Sequence, residues 1–267
     1  MRNPAPHRAR KRFGQHFLHD SNVVARIVNA ISPVAGDNLL EIGPGRGALT
    51  YSLLKKCEQL TAIELDRDLI PILQKGARKY GSLNIINSDI LRFDLNSLTG
   101  DKTYRITGNL PYNISTPLMF HLVASISRIQ DMHFMVQREV ALRIVAAVGD
   151  KNYGRLSIMM QYYCQCERLF DVAPGSFTPP PKVDSSVIRL IPHQQTPIQV
   201  GDLELFSLLV KTAFGQRRKT IANSLETIID AACFKAARID SRLRAECLSG
   251  EDFARLTNAK INQKPND

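Results

Sequence analysis

Short apolar segments with strand character alternate with amphipathic helical segments through the first half of the chain. Strands are predicted at residues 38–42, 59–65, 84–87, 104–108 and 131–136, and helices at 20–31, 48–56, 66–74, 115–124 and 137–148. Strands that alternate with helices in this way form parallel sheets with helices on both faces. The pattern therefore predicts an α/β fold with a mostly parallel, doubly wound sheet.

The last third of the chain follows a different pattern. One more strand is predicted at 183–191 after a run of three prolines, and residues 192–200 have the composition of a linker. Only helical periodicity follows, at 203–214, 219–229, 231–237 and near Glu251. We predict three regions: a basic N-terminal arm at 1–19, which also begins the ligand site, an α/β domain at 20–192, and a small all-helical domain at 201–267.

Positive charge is concentrated near the N-terminus. The formal net charge is +10, and five basic residues but no acidic residue precede Asp20. A basic arm beside a folded body favours a polyanionic partner, above all nucleic acid. A solvated tail and a mitochondrial transit peptide are alternatives, but the arm is short and lacks serine. The predicted contacts with such a partner are Arg10, Lys11 and Arg12 in the arm, and Arg217, Arg218 and Lys219 at the start of a predicted helix.

Composition excludes several classes of protein. No apolar run approaches the roughly 18 residues of a membrane span, and no signal peptide is visible. The five cysteines do not form C-x-x-C pairs, and reduced thiols are typical of a cytoplasmic protein. His16 and His19 could share a helix face, but no further residue that could bind a metal ion with them is in view. We therefore predict a metal-free, cytoplasmic monomer.

The tetrapeptide Asn109-Leu110-Pro111-Tyr112 follows a predicted strand and precedes a helix. Ligands of open α/β sheets bind at such carboxyl ends of strands. The Asn109 amide oxygen and a nearby backbone carbonyl can accept hydrogen bonds from a planar amino group, Pro111 stiffens the backbone, and Tyr112 offers a face for stacking a base. An ordinary turn is the alternative, since Asn and Pro are common turn residues.

A glycine motif, Gly43-Pro44-Gly45-Arg46-Gly47, connects the first predicted strand to its helix. Glu64 ends the next strand, where an acid typically binds ribose hydroxyls, and Asp89 follows the third strand, where it can bind an adenine amino group. The motif also fits a dinucleotide. Because Glu41 opens it, we favour the cationic S-adenosylmethionine over a nicotinamide cofactor.

Six segments together resemble the ribosomal RNA adenine N6,N6-dimethyltransferases, and the resemblance extends in order over nearly the whole chain. The segments lie at residues 13–18, 41–47, 63–67, 108–115, 177–185 and 214–220. Leu110 and the proline-rich segment after Phe177 favour the branch that modifies small-subunit RNA over its large-subunit relatives.

The resemblance implies a Rossmann-like methyltransferase domain that uses S-adenosylmethionine. Its implied activity is dimethylation of N6 of two adjacent adenosines in the 3′-terminal hairpin loop of 16S rRNA, in the small subunit or its precursor, with a role late in subunit biogenesis. The implied cofactor-binding positions are His16, Leu18, Gly43, Gly45, Glu64, Asp89 and Asn109, and His16 stands where relatives often have Asn.

The predicted catalytic residues are Asn109, Leu110, Pro111, Tyr112 and Phe177. We expect the target adenine to leave its stack and lie between the rings of Tyr112 and Phe177. For Phe177 a place in the core is the alternative. An assembly factor that acts mainly by binding RNA, a DNA adenine-N6 methyltransferase and a nicotinamide-dependent oxidoreductase are the competing functions.

Overall fold

The computed structural model describes residues 14–98 and 103–263. Its strands are β1 Phe17–Leu18, β2 Leu39–Ile42, β3 Gln59–Glu64, β4 Ser82–Asn87, β5 Tyr104–Asn109, β6 Ile129–Gln137, β7 Cys164–Val172, β8 Phe177–Thr178 and β9 Ser185–Pro192. Its helices are α1 Ser21–Ile31, α2 Ala48–Cys57, α3 Ile70–Ala77, α4 Ser115–Val123, α5 Arg138–Val145, α6 Arg155–Tyr163, α7 Leu203–Gly215, α8 Ile221–Ser224, α9 Ala231–Ala237 and α10 Gly250–Asn262.

The chain divides into two compact units. The first contains the described residues up to Ala141 together with Glu167–Pro192, and the second contains Leu142–Cys166 and the described residues from His193 onward. The predicted boundary after residue 192 coincides with this division. Leu142–Cys166 differs from the prediction, because it groups with the C-terminal helices although the sequence placed it in the α/β domain.

Seven strands form one sheet in the order β4-β3-β2-β5-β6-β9-β7. The pairs β4–β3, β3–β2, β2–β5 and β5–β6 are parallel, and β9 runs antiparallel to β6. The predicted α/β fold is confirmed, with the addition of an antiparallel strand. The strand order reverses between β2 and β5, and ligands bind at such a switch point in open sheets.

The first helix shows how local sequence sets the covering layer. The Asp20 carboxylate accepts hydrogen bonds from the backbone N–H groups of Asn22 and Val23, which satisfies donors that the helix itself cannot pair. The helix ends at Ser32, which has a left-handed φ of 50°. Its apolar face is buried in a core cluster with residues of α2 and of the sheet; the members from α1 are Val23, Val24, Ile27, Val28 and Ile31.

The second unit is helical in its C-terminal part, as predicted, with different bounds. The final helix, predicted to be short, is α10 with 13 residues; it begins with a capping box of Ser249 and Asp252. The segment predicted as one helix at 219–229 forms only the four residues of α8 before a turn. Residues 150–172, for which the sequence predicted no element, form α6 and β7.

Candidate active site

A cavity of about 200 Å³ lies in the first unit at the carboxyl ends of β2, β3, β4 and β5. The segment before and within β1 also contributes to its wall. Ten of the predicted site residues line it: His16, Leu18, Gly43, Gly45, Glu64, Asp89, Asn109, Leu110, Pro111 and Tyr112. The structure therefore brings together side chains and loops that are up to about a hundred residues apart in the sequence.

The glycine loop between β2 and α2 depends on glycine. Gly43, Gly45 and Gly47 have φ values of 66°, 60° and 84°, a region that other residues rarely adopt. A Cβ at Gly45 would also lie 3.2 Å from the Phe17 ring. The loop therefore keeps its backbone close to the cavity, as a ligand-cradling loop requires.

Glu64 holds this loop in place. Its carboxylate accepts one hydrogen bond of 3.1 Å from the N–H of Gly45 and one of 2.8 Å from the N–H of Asp66. Burial raises the pKa of Glu64, although these N–H donors oppose the rise. Each carboxylate oxygen has a second lone pair, so Glu64 can still accept hydrogen bonds from ligand hydroxyl groups.

Glu41 lies deeper in the same wall and is 2% exposed. Its Oε2 atom has no hydrogen-bond partner within the described parts of the chain. Burial raises the pKa of Glu41 to about 8, the nearby Thr50 hydroxyl opposes this rise, and the charge of Glu64 adds to it. A buried acceptor of this kind is suited to a cationic ligand group, which would restore the charged form.

Asp89 lies just beyond β4 and faces the cavity. Its Oδ1 accepts a hydrogen bond of 3.0 Å from the N–H of Leu91, which fixes the carboxylate in the turn. The turn fixes an acceptor that can receive a hydrogen bond from an amino group.

Asn109 is oriented by the N-terminal segment. Its Nδ2 donates a hydrogen bond of 2.9 Å to the backbone carbonyl of His16. Because only the amide nitrogen can donate to a carbonyl, this contact leaves Oδ1 as the acceptor on the other side of the amide. The next residue is anchored as well, since the N–H of Leu110 donates to the carbonyl of Met135 at 3.0 Å.

Tyr112 is held by contacts at its hydroxyl and on its ring face. Its hydroxyl lies 2.8 Å from the Ser185 hydroxyl, and its ring stacks on His16 with centroids 5.5 Å apart and planes 25° apart. Burial raises the pKa of Tyr112. The His16 Nδ1 lies 2.7 Å from the carbonyl oxygen of Pro179, so Nδ1 carries the proton of this hydrogen bond.

Phe177, predicted to stack on the target base, has its ring in the core of this structure. This ring is 3% exposed and belongs to the apolar cluster under α1 and α2, outside the lining of the cavity. The reason is strand pairing: Phe177 lies opposite Leu18 in the two-stranded β1–β8 sheet, which turns its ring into the core. In this structure the ring therefore lies in the core, as the alternative describes. Stacking of Phe177 on the target base stays a prediction.

Two features of the site were not predicted from the sequence. Asp66 was predicted to cap a helix, but it precedes a turn, and α3 begins four residues later at Ile70. The Asp66 Oδ2 atom accepts a 3.1 Å hydrogen bond from Gln15 Nε2. His133 on β6 also lines the cavity. The position of His133 within a strand was visible in the sequence, but the face on which its side chain lies was not.

Of the six residues predicted to contact RNA, three belong to the second unit. Arg10, Lys11 and Arg12 are outside the described residues. Arg217, Arg218 and Lys219 are exposed in the turn between α7 and α8, rather than at the start of a helix. A guanidinium nitrogen of Arg217 is 3.3 Å from the Tyr153 carbonyl and 3.4 Å from Glu246, so this side chain is partly held in the second unit.

The described residues contain neither a membrane-spanning helix nor a group of metal ligands. Within 14–98 and 103–263, no helix has the length and apolarity that crossing a bilayer requires. In the same residues no three His, Cys, Asp or Glu side chains are grouped as metal ligands.

Comparisons with known proteins agree over nearly the full length. The family model of the ribosomal RNA adenine dimethylases matches residues 6–262. A ribosomal RNA small subunit methyltransferase A from Pseudomonas putida is 48% identical over 265 residues, which cover 99% of each chain. The protein of the same name from Coxiella burnetii is 52% identical over 250 residues, covering 93% of this chain and 96% of its own.

Solved structures support the same assignment. A dimethyladenosine transferase from Plasmodium falciparum superposes with a TM-score of 0.77 at 26% identity, covering 92% of this chain and 98% of its own. The 23S rRNA methyltransferase ErmE shares the fold, with a TM-score of 0.71 at 24% identity and coverages of 92% and 99%. The family match and the half-identical relatives together show that this chain belongs to the ribosomal RNA adenine dimethylase family.

Proposed function

We propose that this rRNA adenine dimethyltransferase uses S-adenosylmethionine to methylate N6 of two adjacent adenosines twice each. The proposed target is the 3′-terminal hairpin loop of 16S rRNA, in the small subunit or its late precursor. One observation carries the proposal: the fixed amide of Asn109 presents its oxygen beside a cavity lined by the glycine loop, Glu64 and Asp89.

The acceptor groups of the cavity suit S-adenosylmethionine. Glu41 has a buried carboxyl oxygen without a partner in the described chain, which suits a cationic ligand. Glu64 and Asp89 lie at the ends of adjacent strands and supply acceptors for ribose hydroxyls and for an adenine amino group. The glycine loop and the segment around His16 and Leu18 would enclose the remainder of the cofactor.

The residues of this chain would bind and orient the target base. When bound, the cofactor supplies an electrophilic methyl group on a sulfonium. Asn109 Oδ1 and a neighbouring backbone carbonyl would accept hydrogen bonds from the amino group and keep the lone pair of N6 on the nitrogen. Tyr112, fixed by Ser185, would stack on one face of the base; the stacked His16 ring would move or share that position. Such a reaction depends on positioning and electrostatics.

Methyl transfer to unmethylated small-subunit particles tests the proposal directly. We expect label from radiolabelled S-adenosylmethionine in N6,N6-dimethyladenosine at two adjacent positions of the 3′-terminal loop. Label at another nucleotide, or in DNA in preference to the particles, would contradict the proposed substrate. Binding of the particles without methyl transfer would favour a protein that acts mainly as an assembly factor.

The exposed turn with Arg217, Arg218 and Lys219 would contact RNA phosphates, together with Arg10, Lys11 and Arg12. Each phosphate contact contributes about 0.7–0.9 to the slope of log K against log salt concentration. Replacing Arg217, Arg218 and Lys219 with alanine should therefore flatten this slope by about 2 if all three bind phosphate. A slope equal to that of the unaltered protein would remove these residues from the RNA surface.

We further propose that the enzyme acts as a monomer in the cytoplasm, where small subunits mature. The free thiols of the described cysteines suit a reducing compartment. Sedimentation at micromolar concentration tests the monomer, and fractionation of the host cell tests the location.

A further inference from the structure

Four neighbouring strands place polar side chains directly opposite one another beneath the cavity. In strand register, Glu41 pairs with Thr107, Thr107 with His133, and His133 with Arg189. Residues opposite one another lie on the same face of a sheet. We call Glu41, Thr107, His133 and Arg189 the polar row.

Three of the four side chains in the polar row are buried, whereas the Arg189 side chain is 38% exposed. Glu41, Thr107 and His133 are 2%, 1% and 3% exposed. Within the part of the chain that the structure describes, hydrogen-bond partners are lacking for Glu41 Oε2, Thr107 Oγ1, both His133 ring nitrogens and Arg189 Nε. Each buried polar group without a partner costs about 1–3 kcal/mol. Three buried side chains of this kind in adjacent positions are therefore unusual for a core that serves packing alone, and they point to bound water or ligand.

The row is connected to the cavity. Two of its members, Glu41 and His133, line the cavity, and Asn109 lines it as well. Asn109 pairs with Met135, which follows His133 by two residues on the same strand face. Two residues along a strand span about 6–7 Å. One water molecule can bridge the remaining gap between the imidazole and a group held at Asn109.

A carboxylate on the same strand lies beside His133. Asp131 Oδ1 lies 3.4 Å from His133 Nδ1, without the alignment of a hydrogen bond. The second oxygen, Oδ2, is paired with Arg105 Nε at 2.9 Å. Burial would raise the pKa of Asp131, but the contacts with His133 and Arg105 outweigh it and hold the pKa below its ordinary value. An ionised Asp131 favours the proton on Nδ1, so Nε2 is left as an acceptor.

Each methyl transfer requires an acceptor for one proton. The lone pair of N6 forms the new N–C bond as the S–C bond breaks, and the alkylated nitrogen must then release a proton. Asn109 is neutral and cannot hold it. Among the groups that line the cavity, Glu41 Oε2 and the His133 ring nitrogens have no partner in the described residues. His133 lies on the strand that pairs with the strand of Asn109.

We propose that His133, beside Asp131, takes up the proton lost by the target amino nitrogen, through one water held between His133 and the Thr107 hydroxyl. The inference rests on the proposed function. The water receives the proton from nitrogen and gives one to Nε2, and the imidazolium is stabilised by Asp131 until solvent takes the proton. Four charged or titratable groups lie around His133: Asp131 on its own strand, Glu41 on β2, Arg105 on β5 and Arg189 on β9. Arg189 is in turn bonded to Glu167 of β7. The Thr50 hydroxyl of α2 lies near Glu41.

The test is the pH dependence of single-turnover methyl transfer by His133→Gln, with saturating cofactor and unmethylated small-subunit particles. Glutamine keeps polar atoms but cannot take up a proton. We expect a rate about 100-fold below that of the unaltered enzyme near pH 6.5. The deficit should shrink as pH rises to about 9, because hydroxide then takes the proton. Thr107→Val keeps the side-chain shape and should give a smaller deficit with the same trend.

A matched control is His121→Gln on α4. His121 Nε2 bonds the carbonyl of Phe93 at 2.9 Å and lies outside the cavity lining. Its rate and pH profile should equal those of the unaltered enzyme. Cofactor affinity by calorimetry and the melting temperature show whether each variant is folded; if His133→Gln does not fold, His133→Asn takes its place.

Two results would overturn the inference alone: a His133→Gln rate equal to that of the unaltered enzyme, or a deficit of the same factor at every pH. The second result would mean that His133 serves structure only. Absence of methyl transfer by the unaltered chain would instead overturn the proposed function, and this inference with it.

Discussion

The side-chain amide of Asn109 donates a 2.9 Å hydrogen bond to the backbone carbonyl of His16, 93 residues earlier in the chain. The bond has two consequences. It fixes which atom of the amide faces the cavity, and it ties the N-terminal segment to the end of β5. The residue that we expect to bind the target amino group is therefore also the residue that closes one wall of the cofactor site.

Replacing Asn109 with alanine should affect both functions unequally. We expect methyl transfer to fall by about 10²–10³-fold, because an oriented acceptor at the reacting group is lost. Cofactor affinity should fall by about tenfold, since one hydrogen bond that holds the His16 segment disappears. Single-turnover rates and calorimetry separate the two effects. Asn152→Ala is the control, since Asn152 lies in an exposed turn and bonds Asp150. A variant at Asn109 that keeps most of its turnover would refute the role.

Glu41 should make stability depend on pH. Its ordinary pKa of 4.5 is raised to about 8 in the folded protein, so the folded state keeps a proton that the unfolded state releases. The stabilisation is fully present below about pH 4.5 and is lost as pH rises through about 8.

Glu41→Gln removes this dependence. Without cofactor, the variant should match the unaltered protein near pH 4.5 and exceed it by a few kcal/mol, to order of magnitude, above pH 8. Denaturation followed by circular dichroism measures the difference at each pH, because the chain has no tryptophan. A difference that is constant across this range would show that the Glu41 carboxyl is not protonated in the fold.

Arg105 on β5 forms buried ion pairs with Asp37, which precedes β2, and with Asp131 on β6. Its guanidinium is 2.8 Å from Asp37 and 2.9 Å from Asp131, with side chains only 12–14% exposed, and it also bonds the carbonyl of Ile31 at 2.5 Å. Arg105→Met should cost about 3–5 kcal/mol, because two buried carboxylates lose their partner.

Arg67→Met is the matched control for Arg105. This side chain is 85% exposed and only 4.0 Å from Asp68, so its loss should change stability by less than about 1 kcal/mol. Urea denaturation of both variants gives the comparison. Equal effects at the two positions would mean that the Arg105 pairs do not stabilise the fold.

Phe177→Leu distinguishes a core ring from a stacking ring. A core role predicts a loss of about 1–2 kcal/mol in stability, since apolar volume is removed from a packed site. It also predicts a methylation rate within about threefold of normal for the folded protein. A ring that stacks on the target base would contribute about 1–3 kcal/mol, so its loss would lower activity roughly 5- to 150-fold. Melting temperature and single-turnover rate, measured on one preparation, decide between them.

Strands, helices and the approximate position of the cavity were predictable from the sequence. Periodicity and capping are local properties, so α1 was placed by Asp20 and by its apolar face, and its structure has the predicted bounds. The glycine loop, Glu64, Asp89 and Asn109 could be assigned to one edge of the sheet, because carboxyl ends of parallel strands meet there. The family resemblance, confirmed by the family match, added the order and chemistry of these positions.

Tertiary structure alone decided which side chains share a face and which are buried. The register between β2, β5, β6 and β9 aligns Glu41, Thr107, His133 and Arg189, and a shift of one residue would have turned each side chain to the other face. Pairing of β1 with β8 buries Phe177 although its motif predicted a stacking ring. Both outcomes depend on contacts between residues far apart in the chain, and local sequence preferences do not contain that information.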